Sequence, residues 1–357
     1  MYLGIGSEAC TPNTKESEYF VKKHAVNTAD VLSMLTDMCN LIFGRDTLPK
    51  NHISGKTMDF DISMKKLLLI AFALFAAVAC APKEGEPKAK HVFVIAFDGW
   101  GSYSMEHVDM PNTRALMAEG CYTLHKRTVL PSDSAPNWAS MFAGAPCEFH
   151  GWSNNGSGPD VQPVYVNENG SFPTIFSLVR EQMPEAETAC VYEWGGIKPL
   201  IDHKSINFCV KEKPENIAAV SSEYIKSKKP DFMAIIYDDP DHVGHSAGHA
   251  TPAYYAKMEE LDACLGKIVA ATKEAGIYDD SIIIVTSDHG GIGYGHGGQS
   301  MMEMETPFII AGKNIKQGGE FSEVMLQQDT AHTLAEAFGL KVPQMWSGNS
   351  MSQVFEK

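Results

Sequence analysis

From His91 onward the chain is punctuated by short, uninterrupted apolar runs that lead into carboxylates. HVFVIAFD ends at Asp98, DFMAIIYDD runs on to Asp241, and SIIIVTSD ends at Asp288. A strand with one wet face alternates apolar and polar residues, whereas a run that is apolar at every position needs cover on both faces. Segments with helical patterning separate the runs: PNTRALMAEG, SAPNWASMFAG, FPTIFSLVREQMP, PENIAAVSSEYIKSKKP, TPAYYAKMEELDACLGKIVAATKEAG and DTAHTLAEAFGL. TACVYEW, SINFCV and PFIIAG add further strands. The alternation predicts an α/β fold: a doubly wound, mostly parallel sheet with helices on both faces, in a single catalytic domain over residues 91–357. Locally, Asn112 is expected to cap the first helix and Gly120 to stop it. Pro173 is expected in the first turn of the FPTIFSLVREQMP helix.

A sheet of this kind binds ligands beyond the carboxyl ends of its strands. Asp98, Asp241 and Asp288 are all expected at such ends, so one edge can gather them despite their distance in sequence. His245 lies four residues after Asp241 in PDHVGH, His289 follows Asp288, and His296 sits in GYGHGG. Aspartate oxygens and histidine nitrogens are ligands for zinc, and two such ions can clamp the attacking and leaving oxygens of an in-line displacement. Taken singly, each residue has a plainer use: Asp98-Gly99 as a turn, Asp288-His289-Gly290 as another, His296 as a hydrogen-bonded structural histidine. Together, in order and after strands, they point to hydrolysis at phosphorus on two divalent ions, zinc by ligand type. A hydroxyl in LPSDSAPNW is the candidate nucleophile, either Ser134 or Ser132.

The order of motifs resembles the alkaline phosphatase superfamily: a strand ending in Asp-Gly, then LPSDSAPNW, PDHVGH, SDHG and a final His. Within it the chain looks most like the type I phosphodiesterase/nucleotide pyrophosphatase branch. The likeness runs from about His91 to the C-terminus and includes PNTRALMAEG, ETPFIIAG and DTAHTLAEAFGL. It implies that Asp98, Asp288 and His289 hold the metal that also binds the nucleophile, and that Asp241, His245 and His296 hold the other. It favours Ser134 as nucleophile and as a metal contact, with Ser132 the competitor, because the family places the nucleophile two residues before Pro-Asn. It implies a phosphoseryl intermediate. It also implies an amide from Asn155, or Asn154 if the register is one off, on the transferring phosphoryl group. Diesterases of this branch more often carry Thr at the nucleophile. Ser within Asp133-Ser134-Ala135 resembles alkaline phosphatases and keeps a phosphomonoesterase open, although no arginine follows Ser134 to grip a dianion. A phosphonate hydrolase or phospho-headgroup transferase fits the same metals. A sulfatase is disfavoured by the lack of a Cys/Ser-x-Pro-x-Arg segment, and an inactive metal-binding protein by the complete ligand set.

Around these motifs, His242 and His249 are expected as solvent-facing loop residues, with ligand orientation as their alternative use. Trp138, Trp152 and Tyr294 are expected to pack in the core or rim, with stacking on a base as the alternative. A net charge of −15 over 357 residues excludes an extended polyanion-binding face. A small phosphate ester remains compatible, because bound metals dominate the local field.

Location is written near Met64. MKK followed by LLLIAFALFAAVA has the basic start and short apolar core of an export signal, too short to span a bilayer. AVAC resembles a bacterial lipobox, with Ala77 where Leu is usual. This predicts a signal over residues 64–80, lipidation of Cys80, a polar tether over 81–90, and a periplasmic or surface location anchored only by the lipid. Residues 1–63 are expected to reflect a start codon assigned too early, a genuine extension being the alternative. The eight cysteines include no CxxC pair, so a thiolate zinc site is not expected. Buried free thiols are expected, with a Cys190–Cys209 bridge as the alternative in an oxidising compartment.

Overall fold

The structure is a computed structural model that describes residues 85–356. The signal segment, Cys80 and most of the tether lie outside the described residues. Among the described residues no helix is long and apolar enough to cross a membrane.

Eight strands form one sheet: β1 (His91–Asp98), β2 (Cys121–Arg127), β3 (Thr188–Tyr192), β4 (Phe208–Lys211), β5 (Phe232–Pro240), β6 (Ser281–Thr286), β7 (Glu305–Gly312) and β8 (Gly319–Glu320). Their spatial order is β4-β3-β5-β1-β6-β7-β2-β8. Only β7 runs against the others, antiparallel to both β6 and β2. The sheet is thus mostly parallel, as the apolar runs require.

Every residue of β1 and of β6 is buried, and the period-2 geometry of a strand divides each between two cores. Val92, Val94 and Ala96 face one core together with Ile282 and Ile284. Phe93, Ile95 and Phe97 face the other together with Ile283 and Val285. The first core is roofed by α2 (Ser134–Ala143), α4 (Ile175–Gln182) and α10 (Asp329–Phe338), through Trp138, Phe142, Phe176 and Phe338. The second is roofed by α1 (Pro111–Glu119), α6 (Pro214–Lys228) and α8 (Pro252–Glu274), through Leu116, Ile225, Met258 and Leu265. Burying each such side chain contributes roughly 1.5–3 kcal/mol. The remaining short helices are α3 (Cys147–His150), α5 (Ile197–Leu200), α7 (Asp241–Ala247) and α9 (Met301–Met304).

Two local expectations change, and the expectation of free thiols holds. Asn112 is not the cap of α1; the helix begins at Pro111 with Met110 at its N-cap, while Gly120 does end it. The first amides are met instead by Asp262 of α8, which accepts from the Asn112 and Thr113 backbone N–H at 2.9 and 2.8 Å and from the Thr113 hydroxyl at 2.7 Å. Pro173 lies just outside α4, whose N-cap is Thr174 in a capping box with Ser177. Cys190 and Cys209 are register partners on β3 and β4 but remain free, as do Cys121, Cys147 and Cys264. Burial pushes the Cys190 thiol well up, which keeps it neutral.

Asp262 ties two helices through one buried carboxylate. Replacing it with Ala is expected to lower stability in urea unfolding by about 3 kcal/mol; a loss under about 0.5 kcal/mol would mean the α1 amides do not depend on it.

Candidate active site

The sheet order places β5, β1 and β6 side by side, all parallel. Their carboxyl ends therefore meet at one edge. Asp98 closes β1, Asp241 opens α7 directly after β5, and Asp288 lies two residues past β6. The seven-residue α7 puts Asp241 and His245 on the same face, one turn apart. Ser134 is the first residue of α2, where the free amides and the helix dipole favour negative charge.

The side chains form two adjoining groups. In the first, His289 Nε2 lies 3.3 Å from Asp98 Oδ1, 3.4 Å from Asp288 Oδ2 and 3.1 Å from the Ser134 hydroxyl. In the second, His245 Nε2 lies 3.0 Å from Asp241 Oδ2 and 3.2 Å from His296 Nε2, and the last two are 3.8 Å apart. Tetrahedral zinc with bonds of about 2.0–2.1 Å separates its ligand atoms by about 3.3 Å, so both groups have the right size. The groups abut: the His289 and His296 rings stack with centroids 4.0 Å apart, and His289 also lies within ligand range of Asp241 and His296.

The hydrogen bonding leaves these atoms free to face a cation. Asp98 Oδ1 and Asp288 Oδ2 are buried without a partner. Their opposite oxygens are held, Asp98 Oδ2 by the Trp138 indole N–H at 2.9 Å and Asp288 Oδ1 by the Gly99 amide at 3.1 Å. Each histidine is fixed through Nδ1: His289 to the Gly290 carbonyl at 2.8 Å, His245 to the Tyr294 carbonyl at 2.9 Å, and His296 to Asp133 Oδ1 at 2.9 Å. A donor at Nδ1 leaves the Nε2 lone pair for a metal. The arrangement fits two divalent ions.

The charges agree. Burial, then the negative charges of Asp288 and Asp241, raise Asp98 well above the usual carboxylate range. Burial likewise raises Asp288. Burial also pushes Asp241 upward, but the His245 hydrogen bond and the charges of His289 and His296 outweigh it and hold Asp241 low. The Asp241 hydrogen bond in turn lifts His245 to about 9. Three buried carboxylates at one point need positive charge beside them.

Other expected residues separate clearly. Asn155 reaches the Ser134 end of α2, its Oδ1 accepting from the Ala135 amide at 2.8 Å, while Asn154 turns to Asp160 at 2.6 Å. Ser132 is fully buried, its hydroxyl engaged on both sides, donating to the Gly298 carbonyl at 2.7 Å and accepting from the Gly297 amide at 3.1 Å. Trp138 and Trp152 are buried and Tyr294 is 69% exposed. His242 is exposed, but His249 is not the solvent-facing residue expected of its loop: its side chain is wholly buried, with Nε2 3.5 Å from Asp241 Oδ1. Two residues had no signal in the sequence. Asp133 orients His296, and Lys126 on β2 lies buried beneath the site, donating to the Thr286 hydroxyl at 2.6 Å and the Ser287 carbonyl at 2.7 Å. Burial pushes this ammonium down to about 7, against the pull of Asp288.

The sequence profile of the family described as type I phosphodiesterase/nucleotide pyrophosphatase matches residues 92–333. A bis(5′-adenosyl)-triphosphatase of Mus musculus is 24% identical over 245 residues, 63% of this chain and 52% of that protein. The chain spans about half the length of the curated relatives it matches. An inactive variant of murine ectonucleotide pyrophosphatase/phosphodiesterase 5, solved in complex with AMP, shares the fold with a TM-score of 0.61 at 16% identity, covering 74% of this chain and 98% of that one. A phosphonate monoester hydrolase from Silicibacter pomeroyi superposes with a TM-score of 0.58 at 15% identity, over 74% of this chain and 76% of that one. The chain belongs to the type I phosphodiesterase/nucleotide pyrophosphatase family, within the alkaline phosphatase superfamily.

Proposed function

We propose that this chain is a two-metal hydrolase that cleaves phosphodiester or pyrophosphate bonds through a phosphoseryl intermediate on Ser134. The observation that carries the proposal is the Ser134 hydroxyl, placed at a helix N-terminus and 3.1 Å from His289 Nε2, beside two groups of ligand atoms that include partnerless carboxylate oxygens. Asp98, Asp288 and His289, with Ser134, would hold one ion, and Asp241, His245 and His296 the other; zinc suits this oxygen and nitrogen set. Such ions supply positive charge for the attacking and leaving oxygens and favour deprotonation of a hydroxyl or a water.

The protein's own groups do the rest. Ser134 attacks phosphorus in line, the ester or pyrophosphate oxygen departs, and water later releases the phosphoryl group from Ser134. The N-terminal end of α2 favours the negative charge that develops there. Asn155, whose carbonyl end is fixed on the Ala135 amide, keeps its amide nitrogen for an equatorial phosphoryl oxygen. A donor of that kind is typically worth about 3–4 kcal/mol in the transition state. Trp138, Asp133 and the Tyr294 carbonyl keep the ligand atoms aimed.

The relatives named as a dinucleoside triphosphatase and as nucleotide pyrophosphatases support nucleotide diesters and pyrophosphates as the substrate class. The monoesterase reading rests on Asp133-Ser134-Ala135. The hydrogen bond with His296 gives Asp133 a purpose unrelated to monoesters, which removes most of that support. We place the enzyme outside the cytoplasmic membrane, lipid-anchored through Cys80, on the strength of the MKK–apolar–AVAC segment. Intact mass of the native protein should show a diacylglyceryl cysteine at Cys80 as its first residue; an unmodified or different N-terminus would remove the anchor.

With zinc present, a nitrophenyl nucleotide diester should turn over faster than nitrophenyl phosphate, nitrophenyl sulfate should not react, and chelation should stop all turnover. Preference for the monoester would transfer the assignment to a phosphatase. Ser134→Ala should cut turnover by at least about a thousandfold while zinc content stays near two equivalents. Full activity in that variant would remove Ser134 as nucleophile. Zinc binding displaces a proton from His245, raised to about 9 by its hydrogen bond with Asp241. Zinc affinity should therefore rise with pH toward about 9, with net proton release near pH 7 in calorimetry across buffers. Uptake of protons, or an affinity flat in pH, would contradict this ligand set.

A further inference from the structure

His249 lies two residues beyond α7, and its side chain is completely buried. Both ring nitrogens lack a hydrogen-bond partner. A buried ring with two unanswered nitrogens is costly to keep, which calls for a reason.

The surroundings supply one. Asp241 Oδ2 engages His245 and faces His296, whereas Asp241 Oδ1 is also buried without a partner. Oδ1 lies 3.5 Å from His249 Nε2. That separation is about half an ångström longer than a hydrogen bond. Gly99 closes the other side, since a Cβ there would lie 2.8 Å from Oδ1. The ring itself occupies a slot between two glycines. A Cβ at Gly244 would lie 2.4 Å from its Nε2 and Cε1, and one at Gly291 would lie 2.2 Å from Cε1. Gly244 is the glycine of PDHVGH, and Gly291 follows SDHG. The His249 amide is anchored on the Gly293 carbonyl at 2.7 Å, and the Tyr254 ring packs against the imidazole with centroids 5.3 Å apart. Backbone and packing thus aim Nε2 at the one oxygen of Asp241 that has no other donor.

We propose that His249 is a positioning residue for the Asp241–His245–His296 metal: its Nε2–H donates to Asp241 Oδ1, leaving Oδ2 as the metal ligand, and Gly244 and Gly291 exist in this chain to seat the ring. The proposal rests on the two-ion reading above. It assigns His249 no contact with substrate. An outer partner of this kind typically changes metal affinity by about 10–100-fold.

The test is zinc titration of the full metal-stripped chain against a fluorescent chelator, for the parent, His249→Gln and His249→Met. Gln and Met have nearly the same shape, and only Gln offers an N–H. The parent should bind two equivalents. His249→Met should bind one with parental affinity and the second about 10–100-fold more weakly, and His249→Gln should recover most of that loss. Parental binding of both ions by His249→Met overturns the proposal, as does His249→Gln binding as weakly as His249→Met, which would make the effect one of ring packing. A parent that binds fewer than two ions sinks the two-ion reading itself, a distinct outcome. Circular dichroism of the apo-proteins reports whether the variants fold. Should they not, nitrogen NMR of the zinc-loaded parent decides: an Nε2–H tautomer at His249 is required, and an Nδ1–H tautomer overturns the assignment.

Discussion

Three carboxylates held together out of water are the constraint on which the rest of this structure depends. Asp98, Asp241 and Asp288 meet because β5, β1 and β6 are neighbours and parallel, so the chain cannot separate them without changing its sheet order. Burial and mutual repulsion oppose the ionisation of Asp98 and Asp288, and the protein answers with three histidines around the same point. The cost is local and the compensation sits elsewhere. Two hydrophobic cores, one on each face of the sheet, stabilise a fold that must also hold this polar cluster. Positive charge beside such a cluster favours its charged form.

What surrounds the ligands is as informative as the ligands. Nearly every atom not aimed at the centre is engaged: Asp98 by Trp138, Asp288 by Gly99, His289 by Gly290, His245 by Tyr294, His296 by Asp133. These partners come from α2, from loops and from Asp133, the residue before Ser134. Trp138 lies one turn after Ser134, so α2 both presents the hydroxyl and steadies a ligand. Asp133, immediately before Ser134, occupies the N-cap position of α2 and turns its side chain to His296. The Ser134 hydroxyl and the clustered Asp and His side chains are therefore built as one mechanical unit.

Much of this was legible in the sequence, for a physical reason. Apolar runs longer than a half-buried strand permits force a two-sided sheet, and parallel strands force their ends to one edge. That reasoning alone gathers Asp98, Asp241 and Asp288, and the i, i+4 spacing adds His245. The illegible parts depend on contacts between segments distant in sequence. β2 reads CYTLHKR, and nothing in it shows that Lys126 is buried, because its partners Thr286 and Ser287 are 160 and 161 residues away. Asn112 looks like a cap, but Asp262, 150 residues on, does that work. His249 looks like a loop residue until Gly244 and Gly291 are found on either side of it. Local patterning identifies elements, whereas capping and orientation by remote side chains require the fold.

The central claim is that two ions occupy two defined ligand groups. Crystals of the full chain grown with zinc, with data collected on both sides of the zinc absorption edge, test it most directly. The account predicts two anomalous peaks, one among Asp98, Asp288, His289 and Ser134 and the other among Asp241, His245 and His296. A single peak, or peaks at other residues, would contradict it.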